Sequence, residues 1–140
     1  MTKAEKAVSL HDKGYNCAQA VVCAFADDLG LDEQTAYKMS EAFGLGVGQM
    51  EICGAVSGAC MVAGMKNSGG LDNIGKTKGE TYKINRAIAD EFKQMNESVI
   101  CRELKGVETG NVIRSCTGCI EDAVKIVEKY QENLKASVLK

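Results

Sequence analysis

Gly70-Leu71-Asp72-Asn73-Ile74-Gly75-Lys76-Thr77 matches the phosphate-loop pattern GxxxxGK[ST] letter for letter, and its reading decides the fold. A phosphate loop works where it joins a buried strand to a helix. Backbone N–H groups and the helix start then cradle phosphates, while a second strand offers an acid to Mg²⁺. Upstream lies a small-residue helical run, and Ala59 to Met65 is too short and too glycine-flanked for a central strand. A chain with so few candidate strands cannot build a parallel sheet, so the stretch reads as a loop with a helix start at Lys76. Nucleotide is not an expected ligand.

Outward from that loop the apolar residues recur with a helical period and proline is absent, which predicts an all-α, single-domain bundle of five or six helices over residues 1–140. A first helix runs from about Lys3 to Lys13 and ends at Gly14. Asn16 caps a second, from Cys17 to about Leu29, with Ala20, Val21, Ala24 and Phe25 inward. Asp32 caps a third that turns Ala36, Met39 and Phe43 to the core. Gly44, Gly46 and Gly48 then make a flexible turn into a fourth helix starting near Ile52. A long helix follows from about Lys76 to Asn96, marked by Ile84, Ile88, Phe92 and Met95. After a short segment around Val99 to Leu104, the last helix is capped by Thr117, carries Glu121 and Asp122 in its first turn, and is striped by Ile120, Ala123, Val124, Val127 and Leu134.

Seven cysteines punctuate this plan, and Cys17, Cys53, Cys101 and Cys116 fall where a predicted helix begins or two elements meet. Helix starts present unpaired N–H groups and partial positive charge, which favour the thiolate, the form that attacks disulfides and binds metal. Cys23 lies mid-helix and reads as a small buried hydrophobe. Cys60 is seven residues beyond Cys53, roughly 10 Å along a helix, too far to share one small cofactor, and reads as core. In Cys53-Gly54-Ala55-Val56-Ser57-Gly58-Ala59-Cys60 the glycines each cost about 0.8–1 kcal/mol relative to Ala inside a helix, so close backbone packing or a bulky group is expected there.

Composition narrows the function. With 45% apolar residues, 26% charged residues and a net charge of −2, the chain reads as an ordinary soluble globular protein with no basic stripe for nucleic acid. No signal-peptide block opens the chain. The most apolar stretch, Ile52 to Met65, is about 14 residues against the ~20 of a membrane span, so no membrane partner is expected. An odd cysteine count in a cytoplasmic, reducing setting favours metal binding or reversible redox chemistry over a disulfide framework. His11 reads as a surface side chain in a charged helix, and Met39, Met50, Met61, Met65 and Met95 as core fillers rather than copper ligands. Ser57 is not in a GxSxG elbow, so hydrolase chemistry has no support.

Four segments together resemble the C_GCAxxG_C_C family of small redox-active proteins: Tyr15-Asn16-Cys17-Ala18-Gln19-Ala20-Val21, Cys53-Gly54-Ala55-Val56-Ser57-Gly58, Cys101-Arg102-Glu103-Leu104, and Cys116 with Asp122-Ala123-Val124. The resemblance covers most of the chain and implies that the recurrent cysteines are Cys17, Cys53, Cys101 and Cys116. The chain is also similar to the non-haem portion of split-Soret cytochromes, which are dimeric and hold an iron–sulfur cluster through cysteines. That similarity implies a homodimer and a cluster. Cys116-Thr117-Gly118-Cys119 is followed by Ile120 rather than the His of covalent haem attachment, so haem is not expected. Cys119 is an addition to the family pattern.

Three readings of converging sulfurs remain. An iron–sulfur cluster takes Cys17, Cys53, Cys101 and Cys116 as ligands in a shielded pocket and makes the protein an electron carrier with a redox partner of its own. Tetrahedral zinc usually draws its sulfurs as two close pairs, and only Cys116 and Cys119 make one. A cofactor-free thiol–disulfide protein uses Cys116 and Cys119 as its catalytic pair. Arg102 and Arg114 stand near enough in sequence to favour thiolates or an anionic cluster. A helical interaction domain with inert cysteines is the remaining alternative. The cluster reading is the most concrete form of an all-helical redox protein.

Overall fold

The computed structural model describes the backbone of residues 1–138 and side chains up to residue 131. Among the described residues there are seven α-helices and no strand: α1 Lys3–Asp12, α2 Cys17–Ala24, α3 Glu33–Ser40, α4 Gly54–Asn67, α5 Lys78–Asn96, α6 Cys101–Leu104 and α7 Cys116–Val138. The fold is all-α, as the periodicity predicts, and the count exceeds the expected five or six because the short segment at Cys101 is itself a turn of helix. The former phosphate-loop candidate joins α4 to α5. Gly70–Asn73 forms one tight turn, and Leu71 and Ile74 stand in solvent.

Side chains at the helix starts satisfy N–H groups that have no partner within the helix. Thr2 accepts from Glu5 N–H, Asp32 from Thr35 N–H, and Asn16 forms a reciprocal capping box with Gln19. The cap of α7 is Ser115 rather than Thr117: its Oγ accepts from Gly118 N–H at 3.0 Å, which draws Cys116 into the helix. α2 stops at Ala24, short of the expected Leu29, because Phe25 and Ala26 bond three residues back and Gly30 closes the turn with φ +63°.

α4 is the centre of the bundle, packed on α2, α5 and α7, while α1 lies across α2 and α7. Phe25, Ile88, Phe92, Val21, Val56, Val62, Ile120, Val124 and Val127 fill the space between them. Four expected core residues face outward instead: Met39, Phe43, Met65 and Met95. In α3 the inward stripe is Ala36 and Ser40, the Ser40 hydroxyl donating to the Ala36 carbonyl at 2.6 Å, so Met39 is rotated out. In α5 the stripe Ile88–Phe92 continues to Asn96 at four-residue spacing and leaves Met95 exposed. The Leu134 side chain lies outside the described residues.

Gly54 and Gly58 explain why α4 tolerates glycine. A Cβ at Gly58 would stand 3.0 Å from Val21 Cβ and 3.1 Å from the Ala18 carbonyl oxygen; one at Gly54 would stand 2.5 Å from Cys17 Sγ and 2.9 Å from the Phe43 carbonyl. Both glycines meet α2 or the chain beside it. Gly58→Ala therefore lowers stability by about 1–2 kcal/mol in urea unfolding, overpacking outweighing the gain in helix propensity. Gly64→Ala acts oppositely, gaining up to about 1 kcal/mol, because its Cβ meets only Thr81 Cγ2 at 3.6 Å.

Candidate functional site

The helix starts bring five sulfurs to one cavity of about 180 Å³: Cys17, Cys53, Cys101, Cys116 and Cys119 all line it. Cys17, Cys101 and Cys116 are the first residues of α2, α6 and α7, and Cys53 is the residue before α4. The four cysteines expected at helix starts thus share one place in the fold. Cys119 sits one helical turn beyond Cys116 and is buried. Cys23 is buried away from the cavity, its thiol against the Glu33 carbonyl at 3.8 Å. Cys60 packs against the edge of the core, half-buried in an open groove between α4 and α5 lined also by Ile52, Met61 and Ala89.

Two short contacts hold the cavity walls together. The antiparallel bridge Ile52↔Ile100 is framed by Cys53 N–H to the Val99 carbonyl at 2.7 Å and Cys101 N–H to the Glu51 carbonyl at 2.6 Å, which pins Cys53 and Cys101 side by side. On the other wall Leu45 takes φ +53° and lines the cavity beside Cys17. Leu45, Gly46, Val47 and Gly48 form a left-handed run, closed by Glu51 N–H to the Gly46 carbonyl at 3.1 Å. Left-handed Leu and Val each cost roughly 1–2 kcal/mol, and the turn is retained where it covers the sulfurs.

The sulfurs are not equivalent. Cys53 is held below the ordinary thiol range, chiefly because the Cys119 thiol donates to it, with help from the N–H groups of Ala55 and Val56 and the charge of Lys105, all against the cost of burial. Cys119 is pushed strongly upward as the donor of that same bond, and by burial. Cys17 and Cys101 are raised mainly by burial; Lys105 opposes the rise at Cys101. Burial lifts Cys23 and Cys60 to about 11. Lys105 is the stronger of two cations acting on Cys101; Arg102, exposed and off the cavity wall, opposes the rise there as well, by less.

Arg114 does line the cavity, as a fixed cation. Its Nε and Nη2 meet the two oxygens of Asp122 at 3.1 and 3.2 Å, and Asn96 Nδ2 braces Oδ2 at 3.1 Å. Any side chain at position 118 would run into the guanidinium, so the glycine within Cys116-Thr117-Gly118-Cys119 is the seat of Arg114. His11 is not a free surface side chain. It is half-buried on the cavity wall, and its Nδ1 lies 2.9 Å from the Tyr15 carbonyl. The residues that sequence reasoning missed here are His11, Lys105 and Leu45, none of which carries a local motif.

All seven cysteines are free thiols, and among the described residues no group of three or more His, Cys, Asp or Glu side chains converges on a single-ion site. The sulfurs surround a space instead of meeting at a point. A family model described as "Putative redox-active protein (C_GCAxxG_C_C)" matches residues 15–130. The chain belongs to that family. The match holds all five cavity cysteines and leaves α1, with His11, outside it. No curated protein and no solved structure matches the chain. The family description makes this a redox-active protein, and the cavity is the one place in the described fold where several sulfurs gather.

Proposed function

We propose that this protein carries electrons on an iron–sulfur cluster held by Cys17, Cys53, Cys101 and Cys116. The observation that carries the reading is the meeting of four helix starts, each bearing a cysteine, around one largely apolar cavity. The donor set fits the group, since cysteine thiolates are the usual ligands of such clusters. A single zinc ion needs sulfurs converging about 2.3 Å from one point, whereas these line the walls of a space. When bound, a cluster supplies a redox couple whose potential follows its net charge, its hydrogen bonds and its exposure.

The chain's own residues set those conditions. Lys105 and Arg114 place two cations on the wall, and the start of α4 favours the Cys53 thiolate. The left-handed turn and α6 limit water. Cys119 is left out of the ligand set because it lies buried inside α7, one turn beyond the helix start. In this reading the chain is one redox domain in the cytoplasm, where free thiols persist, and works as a homodimer with a separate electron donor and acceptor.

Anaerobic purification followed by an absorption spectrum and by iron and sulfide analysis tests the proposal. A coloured protein with iron and sulfide in stoichiometric amounts supports it. A colourless, metal-free protein after reconstitution with iron and sulfide overturns it.

A further inference from the structure

The turn that walls the cavity beside Cys17 has firm ends and a strained middle. At its start Asn16 holds both sides: its Oδ1 caps α2 at Gln19 N–H, and its Nδ2 donates to the Glu41 carbonyl at 2.9 Å. The chain then crosses the first residue of α4 so closely that a Cβ on Gly54 would stand 2.9 Å from the Phe43 carbonyl and 3.2 Å from Gly44 Cα. At its end the Glu51 carbonyl accepts from Cys101 N–H. Between these feet Leu45, Gly46, Val47, Gly48 and Met50 all have φ between +53° and +69°. Leu45, Val47 and Met50 carry side chains there, and each loses strain when its backbone leaves the left-handed region. Little burial opposes that move. Leu45 and Val47 are 41% and 44% exposed, and the main neighbours of the turn are α6 and the tight turn Glu41–Phe43 before it. On the cavity that Leu45 lines, Cys53 and Cys101 are each 6% exposed.

We propose that residues Leu45 to Met50 form a lid on the sulfur cavity, which swings out between its feet at Gly44 and Glu51 and admits the small species that reach Cys53 and Cys101. The proposal rests on the reading of this cavity as the redox site, but not on which group it holds. Closed, the lid shields the sulfurs from water and oxidants. Open, it exposes them while α2, α4, α6 and α7 stay folded. Left-handed strain at Leu45, Val47 and Met50 raises the closed form toward the open one, so the two stay close in free energy. Two substitutions shift that balance in opposite directions without touching a sulfur. Gly48→Ala places a side chain at φ +69°, where a Cβ meets nothing within 4 Å, so it weakens the closed form through strain alone. Val47→Gly removes such strain at φ +59° and favours the closed form.

The test is to pulse the full-length, reduced, chelator-washed protein with N-ethylmaleimide, in buffer and in urea below the unfolding transition, and to follow each cysteine by digestion and mass spectrometry. Cys23, buried away from the cavity, reports unfolding of the whole chain. In the wild type Cys53 and Cys101 label faster than Cys23, and their rates stay flat in urea while that of Cys23 climbs, because lid opening exposes little surface. Gly48→Ala labels Cys53 and Cys101 about fivefold faster, the strain of a left-handed side chain less the freedom that glycine has in the open form. Val47→Gly labels them more slowly than the wild type. Comparing each cysteine with itself across variants cancels differences in thiol reactivity. Cys53 and Cys101 that label no faster than Cys23, or rise with it in urea, open only when the fold does, and the lid is overturned. Urea-independent rates that are equal in the wild type and both variants show entry by another path and overturn it as well. The two proposals fail separately, since labelling is read on the metal-free chain and the cluster on iron and sulfide content.

Discussion

Cys53→Ser abolishes iron and sulfide loading, while Cys23→Ser and Cys60→Ser load to the wild-type level. The contrast follows from position. Cys53 is both a wall of the cavity and the sulfur most favoured as thiolate there, whereas Cys23 and Cys60 face a buried helix contact and a separate groove. Serine keeps the volume of cysteine but replaces a soft sulfur with a hard hydroxyl, a poor partner for iron–sulfur clusters. The fold does not suffer in exchange. Cys53 precedes α4 without a side-chain cap, and serine is among the best residues at such a position, so the variant keeps its helical circular dichroism and gains up to about 1 kcal/mol from the new cap. Loss of colour in a folded, equally stable protein is therefore a ligand effect. Cys17→Ser and Cys101→Ser lose loading as well. Full loading of Cys53→Ser would remove the proposed ligand set.

How far the site was legible depends on how far each cue travels along the chain. Cys17, Cys101 and Cys116 are legible because a helix start is a local event, written in Asn16, in a cap expected at Thr117 and found at Ser115, or in a break of period. The glycines at 54 and 58 announced a close approach, but not its partner, since Ala18 and Val21 belong to another helix. From sequence His11 reads as a surface side chain because its own helix is charged. Only the packing of α1 across α2 and α7 brings it to the cavity, and nothing within a few residues of His11 encodes that crossing. Met39 and Met95 failed for a related reason. A stripe of apolar residues tolerates a polar member, and the fold placed Ser40 and Asn96 inward with hydrogen bonds to their own helices. The turn after Phe43 was expected to be flexible because of its glycines. It is instead a specific left-handed turn that includes Leu45 and Val47, a conformation that glycine spacing alone does not predict.

Arg114→Ala costs about 2–3 kcal/mol of stability in urea unfolding of the metal-free protein, a large share of what a domain of this size has. The loss comes less from the missing cation than from the carboxylate it leaves behind. Asp122 is buried, with Asn96 as its one other side-chain partner among the described residues, and an orphaned charge costs its full desolvation. The double variant Arg114→Ala with Asp122→Asn should therefore be more stable than Arg114→Ala alone, because the amide still accepts from Asn96 and no buried charge remains. Arg114→Lys recovers little, since an ammonium cannot reproduce the two-point contact at 3.1 and 3.2 Å. Gly118→Ala supplies the complementary test. It changes no charge and improves helix propensity by about 1 kcal/mol, yet its Cβ occupies the seat of the guanidinium. If Gly118→Ala is destabilising and adds little to Arg114→Ala, the two residues act through one contact. If instead Gly118→Ala is stabilising, Arg114 is not held where this fold places it, and its assignment as a fixed cation on the sulfur cavity falls with that result.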